Sequence, residues 1–272
     1  MLDHMSEVTW RLATFAGVFL AMAAFEMALP RRGLVLGRGR RWVTNLAIVV
    51  LDSVCVRVLF PTAAVGVAMW AQSRGFGLFH LAGLASATAG LVGFLVLDFA
   101  IWAQHLAAHK IPLLWRVHRV HHADRDIDVT TALRFHPIEI VLSMLFKIAV
   151  VALLGIPAMA VFVFEVVLNG MAMFNHANIR LPLALDRVLR LVVVTPDMHR
   201  VHHSIIHRET DSNYGFNLSV WDRIFRTYVA QPRDGHDGMT IGLAEHQGEE
   251  PARLGWALAL PFRPLRRGSK DQ

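Results

Sequence analysis

The chain has little cysteine, little charge, and no acidic residue between the histidines of its repeated motif. Its single cysteine in 272 residues, Cys55, sits inside an apolar run. That excludes an intrachain disulfide and a Cys-based zinc site within one chain, so any metal must rely on histidine and carboxylate. Charged residues are 18% of the chain, below the roughly 25% of average soluble domains. Hydrophobic residues are 54% and mean hydropathy is +0.43, too apolar for an ordinary soluble domain, so a membrane protein is the first inference. The net charge is +6, with arginines gathered in "RRGLVLGRGRR" (31–41) and "RPLRRGSK" (263–270). Beside apolar spans these clusters read as positive charge kept on the cytoplasmic side rather than as nucleic-acid patches.

Apolar runs cover residues 8–29, 43–71, 78–103 and 138–174. The first is long enough to span a bilayer. It follows the acidic "MLDHMSE" and precedes "PRRG", which predicts an uncleaved helix with its N-terminus outside. Three spans within 8–103 then bring Gln104 to the cytoplasm. The fourth run is broken by "GIP" at 155–157, and Gly and Pro punctuate helices. A helical hairpin of 138–154 and 158–174 is expected, with Lys147 and Glu165 paired across it because an intramembrane charge is costly alone. Residues 229–272 read as a cytoplasmic C-terminal segment with a short helix near 251–260. No linker divides the chain, so 1–272 is read as one domain. The expected fold is an all-α polytopic membrane helical bundle, three spans plus a hairpin, with a cytoplasmic histidine-rich cap built from 105–136 and 176–228.

Fifteen histidines are present, ten of them between His105 and His203. They fall in "HLAAH" (His105, His109), "HRVHH" (His118, His121, His122), "RFHPIE" (His136), "FNHANI" (His176) and a second "HRVHH" (His199, His202, His203). Spacings of three and four place side chains on one helix face. One zinc needs about four ligands, so eight or nine convergent imidazoles suit two ions. Imidazole accepts Zn, Cu, Fe and Ni alike; two irons are favoured by the purpose of such a site, O2 chemistry on an apolar substrate at a membrane. A basic headgroup-binding stretch would not explain the regular spacings. His4, His80, His236 and His246 have no clustered partner and read as solvated or interfacial. Asp98, two helical turns before His105, is a candidate to orient a ligating imidazole, or else pairs with an arginine. His136 and His207 are candidates for the same supporting role, and Asp197 for capping the helix of the last block.

With these residues assembled, the chain resembles the fatty acid hydroxylase and sterol desaturase superfamily of integral-membrane di-iron enzymes. The family's HxxxH, HxxHH and later HxxHH match His105/His109, His118/His121/His122 and His199/His202/His203. The flanks "DVTTALRFHPIE" (128–139), "FNHANI" (174–179) and "DSNYGFNLSVWDRIFRTY" (211–228) look like this family too, over about 91–228. Arg226 departs from it, standing where a small residue is usual. The resemblance implies a helical stem and a cap holding two Fe ions, with zinc a possible substitute in purified protein. It implies O2 as cosubstrate and a C–H bond of a lipid, sterol, fatty acyl or related, as the point of hydroxylation or desaturation. The chain has no Gly-rich dinucleotide fingerprint and no "HPGG" stretch, so a separate electron donor, a ferredoxin or a cytochrome with its reductase, is implied. The competing classes are a zinc-dependent membrane hydrolase, which would need a carboxylate as in HExxH, and a non-catalytic metal-binding membrane protein.

Overall fold

The computed structural model describes residues 4–265, and side chains from residue 7 onward. The end of the 263–270 arginine cluster and the side chain of His4 lie outside the described residues. Helices carry the fold: α1 (His4–Ala28), α2 (Gly39–Leu59), α3 (Ala63–Arg74), α4 (Leu78–Leu81), α5 (Ser86–Lys110), α6 (Pro112–His122), α7 (Pro137–Leu154), α8 (Ala158–His176), α9 (Leu183–Leu189) and α10 (Pro196–His202). Four short helices follow, α11 (His207–Thr210), α12 (Val220–Ile224), α13 (Gly235–Gly238) and α14 (Leu254–Ala259). Among the described residues, β-structure is limited to isolated bridges.

Among the described residues, five segments are long and apolar enough to cross a membrane: Glu7–Ala28, Gly39–Leu81, Ser86–Lys110, Pro137–Leu154 and Ala158–His176. Their outer faces expose Leu20, Val58, Leu91 and Leu153, a surface that hydrocarbon covers at no cost and water does not. The core inside them is Leu97, Ile101, Val151, Ile156, Val161 and Phe164.

The expected second span, 43–71, is two helices rather than one. Pro61 lacks an N–H and disfavours helical geometry at the residue before it, and Phe60 accordingly leaves the helix at φ −131°, ψ 70°. The expected third span begins at Ser86 instead of 78, because residues 78–81 form only a single turn before "AGLA" breaks the chain. The helix predicted near 251–260 is α14 flanked by two 3-10 turns, since Pro251 and Pro261 interrupt it.

The hairpin follows the expected path. α7 starts beside the histidines, α8 returns to end on His176, and the turn between them sits on Gly155 at φ +68°. A Cβ on Gly77 would lie 2.3 Å from the Gly155 nitrogen, so the loop after α3 rests directly on this turn at the far end of the bundle. Lys147 and Glu165 pair at 2.7 Å, and Arg11 of α1 joins Glu165 at 2.8 Å. At the histidine end, Glu26 of α1 accepts hydrogen bonds from the backbone N–H groups of Val129 and Asn178 (2.6 and 2.9 Å), tying the first helix to the loops around the site.

Candidate metal centre

Helix periodicity and three chain returns bring nine histidines together. α5 runs past its apolar stretch and presents His105 and His109 one turn apart, while Pro112 starts α6 at once and so turns the first HRVHH back onto α5. α8 delivers His176, and the seven-residue α10, capped by Thr195, delivers the second HRVHH. The nine rings form two groups: His105, His109, His118, His122 and His202; and His121, His176, His199 and His203. Within each group one nitrogen per ring lies within 4.8 Å of all the others, and every ring is buried. These are the nine histidines singled out from the sequence. Each HRVHH block straddles both groups: the first gives its i and i+4 residues to the group of five and its i+3 to the other, and the second does the reverse.

Several rings are turned by partners behind them. Carbonyl oxygens only accept, so the Nδ1–H of His105 donates to Tyr214 O (2.7 Å), that of His176 to Ala172 O (2.7 Å) and that of His202 to Ser212 O (2.6 Å). His118 Nδ1 donates to Glu139 Oε1 at 2.6 Å. In each case the Nε2 lone pair is left pointing inward.

The inward nitrogens fit a metal. His105 and His118 meet Nε2 to Nε2 at 3.1 Å, His176 meets His121 at 3.2 Å, and His199 meets His176 at 3.1 Å. Two nitrogens each about 2.1 Å from one ion would lie roughly 3 Å apart. Other ring nitrogens, including His109 Nε2, His202 Nε2 and both of His122 and His203, are buried without a hydrogen-bond partner, a cost that coordination would remove. Burial, reinforced by repulsion from neighbouring rings, holds His121, His122, His199 and His203 well below the ordinary imidazole pKa. Burial also carries His202 down to about 3. Neutral rings are the form that binds metal.

The supporting residues differ from those expected. Asp98 accepts from Trp221 Nε1 at 2.8 Å and anchors α12 instead of steadying His105. His136 caps α7, accepting from Ile138 N at 3.1 Å and donating to Leu258 O at 3.2 Å. His207 is one step removed: it meets Asp211 at 3.3 Å, and Asp211 lies 3.6 Å from His109 Nδ1. Thr195 rather than Asp197 caps α10, accepting from Met198 N, while Asp197 pairs with Arg200, Arg31 and His236. His236, read as solvated, is buried, and burial takes its pKa to about 4. His80 is exposed, and His246 is half-buried against Trp256.

Glu139 was missed although it closes the quoted "RFHPIE"; its place in the first turn of α7, three residues after His136, was the available signal. Asp222 was missed too. It accepts from Trp102 Nε1, Tyr214 N, Gly215 N and Thr227 Oγ1, and so fixes the loop whose carbonyls hold His105 and His202. The repeated arginine of HRVHH faces away from the histidines. Arg119 donates to the carbonyls of Leu260 and Arg263, and Arg200 to Asp197.

The 31–41 arginines, read from the sequence as charge kept on the cytoplasmic side, are also partly structural. Arg41 is 1% exposed and bonds Asp124 and Asp128; Arg31 and Arg32 hold the α13 region. Burial alone would raise the Asp124 pKa, but Arg41 against it wins and brings it to about 2.

A cavity of about 240 Å³ leads from the bundle to the group of five. Ile101, Ala132, Leu133, Phe135, Leu168 and Phe216 line it, and it ends on His105 and His118.

An all-helical membrane bundle ending in two buried groups of histidines, each able to hold a metal ion, defines a class of histidine-cluster membrane proteins. Within it the family is shown by comparison: the fatty acid hydroxylase model matches residues 90–227, and the chain belongs to that family. It is 33% identical over 147 residues to the ornithine lipid hydroxylase of Rhizobium tropici, covering 53% of this chain and 42% of that protein. It is 32% identical over 148 residues to the alkylglycerol monooxygenase of Homo sapiens, covering 54% and 32%. It is 27% identical over 143 residues to the cholesterol 25-hydroxylase of Rattus norvegicus, covering 52% and 47%. The matched stretch thus spans less than half the length of each relative. No solved structure matches the chain.

Proposed function

We propose that the protein is a di-iron oxygenase that uses O2 to hydroxylate or desaturate an unactivated C–H bond of a lipid. The observation that carries this is the pair of convergent, buried histidine groups at the end of a cavity whose lining is mostly apolar. His105, His109, His118, His122 and His202 would hold one iron, and His121, His176, His199 and His203 the other. Two bound irons would supply the activation of O2 that no side chain can.

The remaining work falls to the chain. The apolar lining excludes water and aligns a lipid chain with its C–H bond toward His105 and His118. Glu139 and the loop held by Asp222 keep the rings aimed inward. Hydroxylation consumes one O2, two electrons and two protons per lipid and releases one water, so an external donor, a ferredoxin or a cytochrome with its reductase, completes the reaction. A zinc hydrolase is disfavoured because Glu139 and Asp211 meet Nδ1 atoms behind the rings, away from the inward nitrogens.

The proposed orientation puts the histidine end in the cytoplasm and the N-terminus outside. The far-end loops, 60–85, carry only Arg74, whereas Arg40, Arg180, Arg187, Arg208 and Arg253 are exposed at the histidine end. The test is metal analysis of the purified, iron-reconstituted protein together with mass spectrometry of lipids incubated with O2 and a reducing system. Two irons per chain and a lipid product gaining oxygen or losing two hydrogens are expected. One zinc per chain with no iron taken up would sink the proposal.

A further inference from the structure

The membrane half of the bundle holds polar side chains that the chemistry above does not use. A groove of about 800 Å³ between α1, α2, α3, α7 and α8 carries six ionisable residues in its wall: Glu7, Arg11, Asp52, Arg57, Lys147 and Glu165. Arg11 bonds Glu7 and Glu165, and Lys147 bonds Glu165. Asp52 has no such partner. It is 6% exposed, and its Oδ1 is fully buried with no hydrogen bond. An acceptor left in that state is costly in a membrane interior, where water does not compensate it.

Asp52 also stands where two spaces join. Ile140, Ser143, Lys147, Leu168 and Asn169 line both the groove and the inner cavity that ends on His105 and His118, and so does Asp52. It lies eleven residues along from Arg41, about 16 Å deeper in the bundle. Glu7, Arg11, Lys147 and Glu165 balance one another, two cations against two acids, so an occupant need bring no charge to them. What Asp52 lacks is a donor that reaches it: Arg57, also in the wall, is exposed and makes no bond to it.

We propose that Asp52 accepts a hydrogen bond from a hydroxyl group of the lipid substrate, so that the substrate class is a neutral lipid with a free hydroxyl. This rests on the lipid-oxidising reading given above. The hydroxyl held at Asp52 sets how far the rest of the molecule reaches toward His105 and His118, and therefore which carbon is presented. A lipid lacking the hydroxyl leaves the buried carboxyl unpaired and binds less well.

The test uses the full chain in lipid nanodiscs and two photoreactive probes, a long-chain primary alcohol carrying a diazirine and its methyl ether. Labelling is mapped by mass spectrometry on the peptides holding Ile140 and Leu168. Wild type is expected to favour the alcohol by about fivefold, the size of one net hydrogen bond. Asp52→Leu is expected to lose that preference, and Asp52→Asn, which keeps an accepting oxygen, to retain it. Equal labelling by alcohol and ether in wild type, or a preference that survives in Asp52→Leu, would overturn the proposal. Labelling requires neither iron nor turnover. A protein that selects the alcohol through Asp52 but oxidises no lipid would therefore overturn the proposed function and leave this subsite standing.

Discussion

The two HRVHH blocks have the same five residues and are held by different means. The first closes an eleven-residue helix, and its His118 is turned by a carboxylate, Glu139. The second rides on seven residues of helix, too few to persist alone, and its His202 is turned by a backbone carbonyl, that of Ser212. The comparison teaches that the motif encodes only which rings share a helix face. Where each ring points is decided by residues elsewhere in the chain, a side chain in one case and a loop in the other.

The sharpest break of this comparison is at the i+3 residue of each block, the one that crosses to the other group. His121→Ala is expected to empty the group of four and His202→Ala the group of five, each with loss of product. Outer partners alone are worth about 10- to 100-fold, so losing a ligand should exceed that. Metal analysis and product formation check it; full product from either variant would end the shared-site reading.

Acid should act on both blocks together. His121, His122, His199, His202 and His203 have pKa values lowered in the fold, so below pH 6.5 the unfolded chain takes up protons that the folded chain refuses. Stability of the metal-free protein is therefore complete above pH 6.5 and falls as pH drops, by up to about 1.4 kcal/mol per pH unit for each such histidine. Thermal melts of metal-free protein between pH 7.5 and 5 measure this, and a flat profile would contradict it.

The two supports separate under mutation. Glu139→Gln is expected to weaken metal binding at the group of five by about 10- to 100-fold, whereas Ser212→Ala should leave it unchanged because the carbonyl remains. Iron titration of both variants decides the matter. The smallest effect is expected in the loop behind the second block. Arg226 there adopts φ +59°, left-handed geometry that glycine reaches without strain, so Arg226→Gly should stabilise the fold by about 1 kcal/mol, read as a raised melting temperature. The same geometry explains why a small residue suits this position.

Much of this was legible in the sequence because it is periodic. Histidine spacings gave eight of the nine converging rings, and the demand that both blocks meet gave the hairpin and its Lys147–Glu165 pair. Less was legible where the partner is distant in the chain. Nothing local says that Asp98 meets Trp221, 123 residues on, or that Arg41 is buried on Asp124 rather than left at the surface. Pro61 was visible in the second apolar run, but hydropathy averages over it and hid the break. Glu139 looked like an ordinary acidic first-turn residue until α7 was seen to begin beside His118.

The crossed sharing of the two blocks also sets an order of assembly. The group of five lacks His202, and the group of four lacks His199 and His203, until α10 has docked. No nascent chain that stops short of residue 202 can present either group whole. Loading of the proposed irons would thus come after the last membrane helix is in place, and a chain that inserts its helices wrongly leaves both groups incomplete at once.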